Sequence, residues 1–290
     1  MASGRAAARV ALAGNPSDGY GGRTLAVCVR TWAAEAVVEP GPPEPDRLAL
    51  VGAAVARFAA LSGRDPGPVA LRVRTTIPRE VGLGGSSAIV IATLRALAAH
   101  GSVDLDPMEL AAAALATEVE DLGIAAGPQD RIVQSLGGLV AMDFGTGRHE
   151  RLDPALLPRL FVAHRARGGK HSGIVHGSLR ERWETGDALV RAGMRELADL
   201  AAAARDALVR GDIAAFAACM DASFDVRARM IDLDPRDVRL VEVARAHGAA
   251  VNYAGSGGAV VGVLSPAVDV AAMRRDYELA GARLVPLDFA

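Results

Sequence analysis

The chain has 290 residues, 51% of them hydrophobic, enough apolar content for one large domain or two closely joined ones. A formal net charge of −2 offers no electrostatic footprint for a nucleic-acid partner. Two cysteines, Cys28 and Cys219, are too few for a disulfide framework and suit a reducing cytoplasm.

No stretch has the length and continuity of a membrane span, and Met1–Ala13, which holds Arg5 and Arg9, lacks the apolar run of a signal sequence. Apolar alternation predicts strands at Ala8–Ala13, at Thr24–Val38 with room for a break, and at Ala70–Thr76. Helical spacing predicts a helix over Leu48–Ser62. Glu39–Pro45 reads as a Pro-rich surface connection. A Gly/Ser loop, Gly82–Ala88, opens an apolar helix from Ser87 to His100. Asp106, Pro107 and Glu109 form a helix start, with the helix running to about Leu122 and Gly123 ending it. A short helix over Gln129–Leu136 and a strand over Gly138–Asp143 follow.

The second half predicts strands at Leu160–His164, Ala250–Ala254, Ala259–Leu264 and Arg283–Asp288. Helices are predicted over Asp187–Arg210, Asp212–Met230, Asp234–His247 and Ser265–Ala280. Pro235 and Pro266 sit at the first positions of the last two, with Gly248 and Gly281 after their ends. Helices and strands mix without regular βαβ alternation. That is an α+β pattern in two lobes, residues 1–150 and 151–290.

The segment Pro78-Arg79-Glu80-Val81-Gly82-Leu83-Gly84-Gly85-Ser86-Ser87-Ala88 lies between a strand and a helix. Its glycines let the backbone turn so that amide N–H groups share one space, and the helix N-terminus adds partial positive charge. Two serine hydroxyls stand ready for a phosphate or the shell of a Mg²⁺ ion. No lysine follows the glycines, so this is not the P-loop of the NTPases.

The same segment resembles the second signature of the GHMP kinases (galactokinase, homoserine kinase, mevalonate kinase, phosphomevalonate kinase), with Gly85 where the first serine usually stands. Ala8–Arg23 resembles the first signature, a basic residue on a strand running into a Gly-x-x-x-Asp turn, with Asn15-Pro16 in place of the usual Glu-His. Asn252–Ala259 resembles the third. Within the family, Gly14–Asp18, Gly127–Arg131, Gly137–Val140, Arg182-Trp183, Phe224-Asp225-Val226-Arg227 and Gly255–Val261 look like the glucuronokinases of plants.

The resemblance implies the two-lobed GHMP fold, with a ribosomal protein S5 domain 2-like first lobe and a ferredoxin-like second lobe. It implies ATP as phosphoryl donor, Mg²⁺ as cofactor and a sugar as acceptor: D-glucuronate, phosphorylated at its anomeric hydroxyl. It implies Asp130 as the catalytic aspartate with Arg9 beside it, and nucleotide phosphates on Gly82, Leu83, Gly84, Gly85, Ser86, Ser87 and Ala88. Mg²⁺ would be held by Glu120 with Ser86 or Ser87. Acceptor contacts are expected from Asn15, Asp18, Tyr20, Arg23 and Arg131, and from Gly255, Ser256 and Gly257 in the third loop. A uronate needs a cation for its carboxylate, for which Arg23, Arg131, Lys170 and Arg182 come into question. His164, His171 and His176 show no metal-ligand pattern. The expected partners are ATP and a small sugar, with no nucleic acid and no membrane, in a cytoplasmic monomer or homodimer. A different sugar, polyol or small alcohol as acceptor, and a non-catalytic ligand binder, also fit the sequence.

Overall fold

The computed structural model describes residues 1–42, 48–166 and 179–289. The first half builds one antiparallel sheet from β1 (Ala2–Ala13), β2 (Arg23–Pro40), β3 (Val69–Thr75), β4 (Leu139–Asp143) and β5 (Arg148–Leu152). β2 runs as one strand, but its pairing with β1 is interrupted between Val29 and Ala33. Its first residues pair with β4, its last with β3, and β1 runs along its other side. Against this sheet lie α2 (Gly85–Gly101) and α4 (Gln129–Leu136), with α1 (Ala49–Ser62) packed on α2 and α3 (Pro107–Ala116) packed on α4.

The second half builds a four-stranded antiparallel sheet in the order β7 (Val251–Tyr253), β8 (Ala259–Val263), β6 (Leu160–Arg165), β9 (Ala282–Pro286). Its helices are α5 (Ala188–Val209), α6 (Ile213–Met230), α7 (Pro235–Ala246) and α8 (Val270–Leu279). Period-two alternation on this sheet divides its side chains cleanly. Leu160, Val162 and Val261 face the first sheet's core, whereas Phe161, Ala163 and Val260 face α7 and α8. The larger core is not divided near residue 150. It joins Val10, Leu12 and Val27 to Leu94 of α2, Leu208 of α5 and Phe216 of α6.

Two contacts set the positions that matter for the site. A Cβ on Gly4 would come within 2.2 Å of Ala92 O, so α2 lies backbone-close on β1. At the other end of β1, Ala11 N donates to Ala254 O (2.9 Å) and Asn252 Nδ2 donates to Leu12 O (3.0 Å). The turn after β7 is thereby drawn to the loop before α2.

Four elements differ from expectation: β1 begins at Ala2, well before the expected Ala8. β5 was not foreseen. α3 passes at Ala116 into a π-helical turn, Thr117–Asp121. α8 starts at Val270, because Asp269 caps Ala271 N and Ala272 N at 3.0 Å; Pro266 lies in the preceding turn and not at the first helical position. Lys170, His171 and His176 lie outside the described residues. His164 is buried in β6, edge-on to Trp32, and no metal-binding cluster of His, Cys, Asp and Glu exists among the described residues. Among them too, no helix is long and apolar enough to cross a membrane.

Candidate active site

The loop before α2 depends on backbone that only glycine tolerates well. Gly82 and Gly84 have φ of 70° and 72°, and a Cβ on Gly82 would lie 2.8 Å from Ser256 N. A Cβ on Gly255 would lie 2.0 Å from Gly82 O. The two glycine loops therefore pack backbone on backbone. Gly255, Ser256 and Gly257, expected at the acceptor, lie against this loop, with Gly255 next to Arg9 Nη1.

Gly84 is the N-cap residue of α2, and no side chain caps that helix. Its first N–H groups have no side-chain partner, an arrangement able to bind an anion. The serines divide the work. The buried Ser87 hydroxyl donates to Gln134 Oε1 (2.6 Å), while Gln134 Nε2 donates to Gly84 O (3.0 Å) and Ala7 O (2.8 Å). Ser87 thus ties the loop to α4, and Ser86 is the hydroxyl that faces out.

Arg9 joins the parts. Its guanidinium grips Asp130 at both oxygens, Nε to Oδ1 at 2.5 Å and Nη2 to Oδ2 at 2.6 Å. Its Nη1 donates to Gly82 O (2.6 Å) and Ala254 O (2.8 Å). Burial alone would raise the Asp130 carboxyl, but the charge and hydrogen bonds of Arg9 win and hold it at about 2. Asp130 is an ionised, weakly basic group in the first turn of α4.

Asp18 reaches the same helix end from the turn Ser17–Tyr20, accepting from Gln129 N at 3.2 Å. A Cβ on Gly127 would fall 2.2 Å from Asp18 Oδ2, so the approach requires glycine there. Burial, then the charge of Asp130, pushes Asp18 up to about 6. Two carboxylates at one helix start are thus driven to opposite sides of their ordinary range.

Glu120 is not brought to this site. It is exposed, and it pairs with Arg57 of α1 (3.0 Å), as does the adjacent Asp121 (2.6 Å). Glu118 faces inward instead, four positions after Ala114 and seven after Ala111 on the buried face of α3. Glu118 is fully buried, accepts from Arg131 Nε at 2.7 Å, and leaves Oε1 without a partner.

Of the cations proposed for a uronate, the three among the described residues are already engaged. Arg131 holds Glu118 and donates to Gly127 O (2.8 Å). Arg23 pairs with Asp143 (3.0 Å) beside a surface groove lined by Tyr20, Trp183 and Asp199. Arg182 pairs with Asp187 (2.8 Å) and donates to Met230 O (2.5 Å). Tyr20 is half-buried with its ring 4.9 Å from that of Trp183.

Sequence reasoning missed the roles of Glu118, Gln134 and Arg227. Arg227 of α6 is 2% exposed and donates from Nη1 to Asn15 Oδ1 at 2.9 Å. Its only sequence signal was its place in Phe224–Arg227; a single arginine on a mixed helix otherwise reads as a surface charge.

The description "GHMP kinases N terminal domain" matches residues 49–138. Glucuronokinase 1 of Arabidopsis thaliana is 34% identical over 302 residues, covering 89% of this chain and 83% of that protein. Probable glucuronokinase 2 of the same plant is 34% identical over 303 residues, covering 89% and 82%. The crystal structure of Lactococcus lactis galactokinase complexed with galactose superposes with a TM-score of 0.83 over 99% of this chain and 93% of that one, at 15% identity. That last likeness is one of fold, α+β with the helix and antiparallel-sheet arrangement described above. With the ordered glycine loops and the likeness to both glucuronokinases, the chain belongs to the GHMP kinase family and is a sugar kinase.

Proposed function

We propose that the protein transfers the γ-phosphoryl group of ATP to the anomeric hydroxyl of D-glucuronate, giving D-glucuronate 1-phosphate and ADP. The observation that carries the reading is the Arg9 hub, which binds the carboxylate of Asp130 and the backbone of both glycine loops at once. Likeness to the glucuronokinases supports the acceptor.

The uncapped start of α2 receives the nucleotide phosphates, and Ser86 adds a hydroxyl there. Asp130 and Asp18 repel polyphosphate and suit neutral hydroxyls, so the sugar lies on their side. Asp130, held ionised by Arg9, accepts a hydrogen bond from the attacking hydroxyl and orients it in line with phosphorus. An acid this strong takes the proton only late, as the bond to phosphorus forms. Asp18 fixes the sugar through a second hydroxyl.

The donor set fits Mg²⁺, which takes one or two protein oxygens together with phosphates. The unpartnered Oε1 of buried Glu118 and the outward Ser86 hydroxyl would hold it, with Arg131 and Gln134 of α4 bracing Glu118 and Ser87. When bound, the ion neutralises phosphate charge.

The test is ADP release from the full chain with uronates, neutral hexoses, polyols and mevalonate, with the product identified by phosphorus NMR. Turnover is expected with D-glucuronate. Folded protein that turns over none of these acceptors would sink the assignment. Asp130→Asn is expected to keep nucleotide binding and lose about 10²–10⁴ in kcat, the scale of a positioned acid–base group.

A further inference from the structure

Among the described residues, the buried arginines are Arg9, Arg131, Arg165 and Arg227. Arg9 holds Asp130, Arg131 holds Glu118, and Arg165 holds Asp237 at 3.0 Å. Arg227 has no carboxylate within ion-pair distance among the described residues. Its Nη1 bonds only the neutral amide of Asn15 (2.9 Å), its Nε has no partner, and its guanidinium carbon lies 4.9 Å from the ring centre of Tyr253. A buried charge with unfilled donors is costly unless something arrives to pair with it.

Its place in the fold indicates what arrives. Asn15 and Asp18 belong to one turn at the end of β1, and Asp18 touches the start of α4 where Asp130 sits. We propose that Arg227, oriented by Asn15, pairs with the carboxylate of the acceptor and makes the site selective for sugar acids over neutral sugars. This deepens the glucuronate reading and rests on it.

The chemistry of the surroundings agrees. Asn15 accepts one N–H and so fixes the guanidinium plane, yet being an amide it leaves the positive charge unneutralised. The face of Tyr253 stabilises that charge in an apolar setting. Burial draws the guanidinium down to about 10, so it stays protonated at neutral pH. A carboxylate can fill the open donors with charge-assisted bonds. A neutral hexose covers the same cation without pairing it, and sites of this kind reject such analogues strongly.

The experiment measures kcat and KM of the full chain with D-glucuronate, D-glucose and D-galactose for the wild type, Arg227→Met, Arg227→Lys and Asn15→Asp. The wild type is expected to favour glucuronate by about 10³ or more in kcat/KM. Arg227→Met is expected to lose about 10²–10³ on glucuronate, mainly through KM, to narrow the preference to within about tenfold, and to leave the KM for ATP unchanged. Arg227→Lys recovers part of the loss. Asn15→Asp keeps the shape but sets a carboxylate against Nη1. The internal pair competes with substrate, and the glucuronate KM rises by about tenfold or more. That variant decides the matter if Arg227→Met does not fold.

If the wild type selects glucuronate and Arg227→Met or Asn15→Asp keeps the full selectivity, Arg227 is not the acid-binding residue and the glucuronate reading stands. If the wild type uses glucose or galactose as well as glucuronate, the glucuronate reading falls and this inference with it.

Discussion

Arg9 and Arg227 are both buried beside the same turn, yet one is saturated and the other is not. Arg9 spends its donors on a carboxylate and two carbonyls of its own chain. Arg227 makes one bond to an amide and keeps donors open. A satisfied buried charge is part of the architecture; an unsatisfied one calls for an explanation, and substrate is the one proposed for Arg227. On the proposed reading, the Arg9–Asp130 clamp is completed by the chain itself, and Arg227 is completed by the acceptor.

The sharpest test of that contrast is a matched pair of substitutions. Arg9→Met strands the buried Asp130 charge and two carbonyls, and a loss of about 3–5 kcal/mol is expected. Arg227→Met removes a charge that no carboxylate pairs, and the expected change runs from neutral to about 2 kcal/mol more stable. Urea unfolding of both variants measures it; equal losses would erase the distinction.

The two carboxylates extend the contrast to pH. Asp18 titrates at about 6 in the folded protein against an ordinary 3.8. Between those values the native state holds more protons than the unfolded chain. Stability therefore falls as pH rises from about 4 to about 6, by about 3 kcal/mol from this group. Asp18→Asn is expected to return about that amount at pH 7.5 and almost nothing at pH 4. Asp130 has the opposite sign: held at about 2, it contributes about 2 kcal/mol above pH 4, lost as pH falls toward 2. Denaturation of Asp18→Asn and Asp130→Asn across pH 2–8 separates them. A flat difference between wild type and Asp18→Asn would refute the buried-acid account.

The smallest effect belongs to the outer carboxylate. Glu120→Gln removes an exposed partner of Arg57, so stability is expected to move by no more than about 0.5 kcal/mol and turnover to persist. Glu118→Gln, which breaks a buried pair, is expected to cost several-fold more. Calorimetry and initial rates on both variants measure the difference.

What was legible in the sequence was local. Asp106, Asp187, Asp212 and Asp234 cap the helices they announced, because a cap and its apolar run are neighbours in the chain. The loop around Gly82–Ser87 was legible as a tight turn because its glycines permit the positive φ found at Gly82 and Gly84. β5 was not, since Arg148–Leu152 carries little apolar alternation and is a strand through its pairing with β4. Glu118 was overlooked although it continues the buried face of Ala111 and Ala114 at helical spacing, because the resemblance pointed to Glu120 two positions on. Arg227 was hidden because its burial is set by Asn15 and Tyr253, both far away in sequence.

The bonds of Arg9 reach across 73, 121 and 245 positions of the chain. Contacts of such separation form late, after most of the loop-closure entropy has been overcome. During synthesis the first sheet and α2 can assemble while the Ala254 carbonyl is still unmade. The carboxylate clamp would then close only when the turn after β7 docks against β1. A nascent or half-folded chain would hold a glycine loop but no finished centre, and its capacity to consume ATP would appear in one step, with the last strands in place.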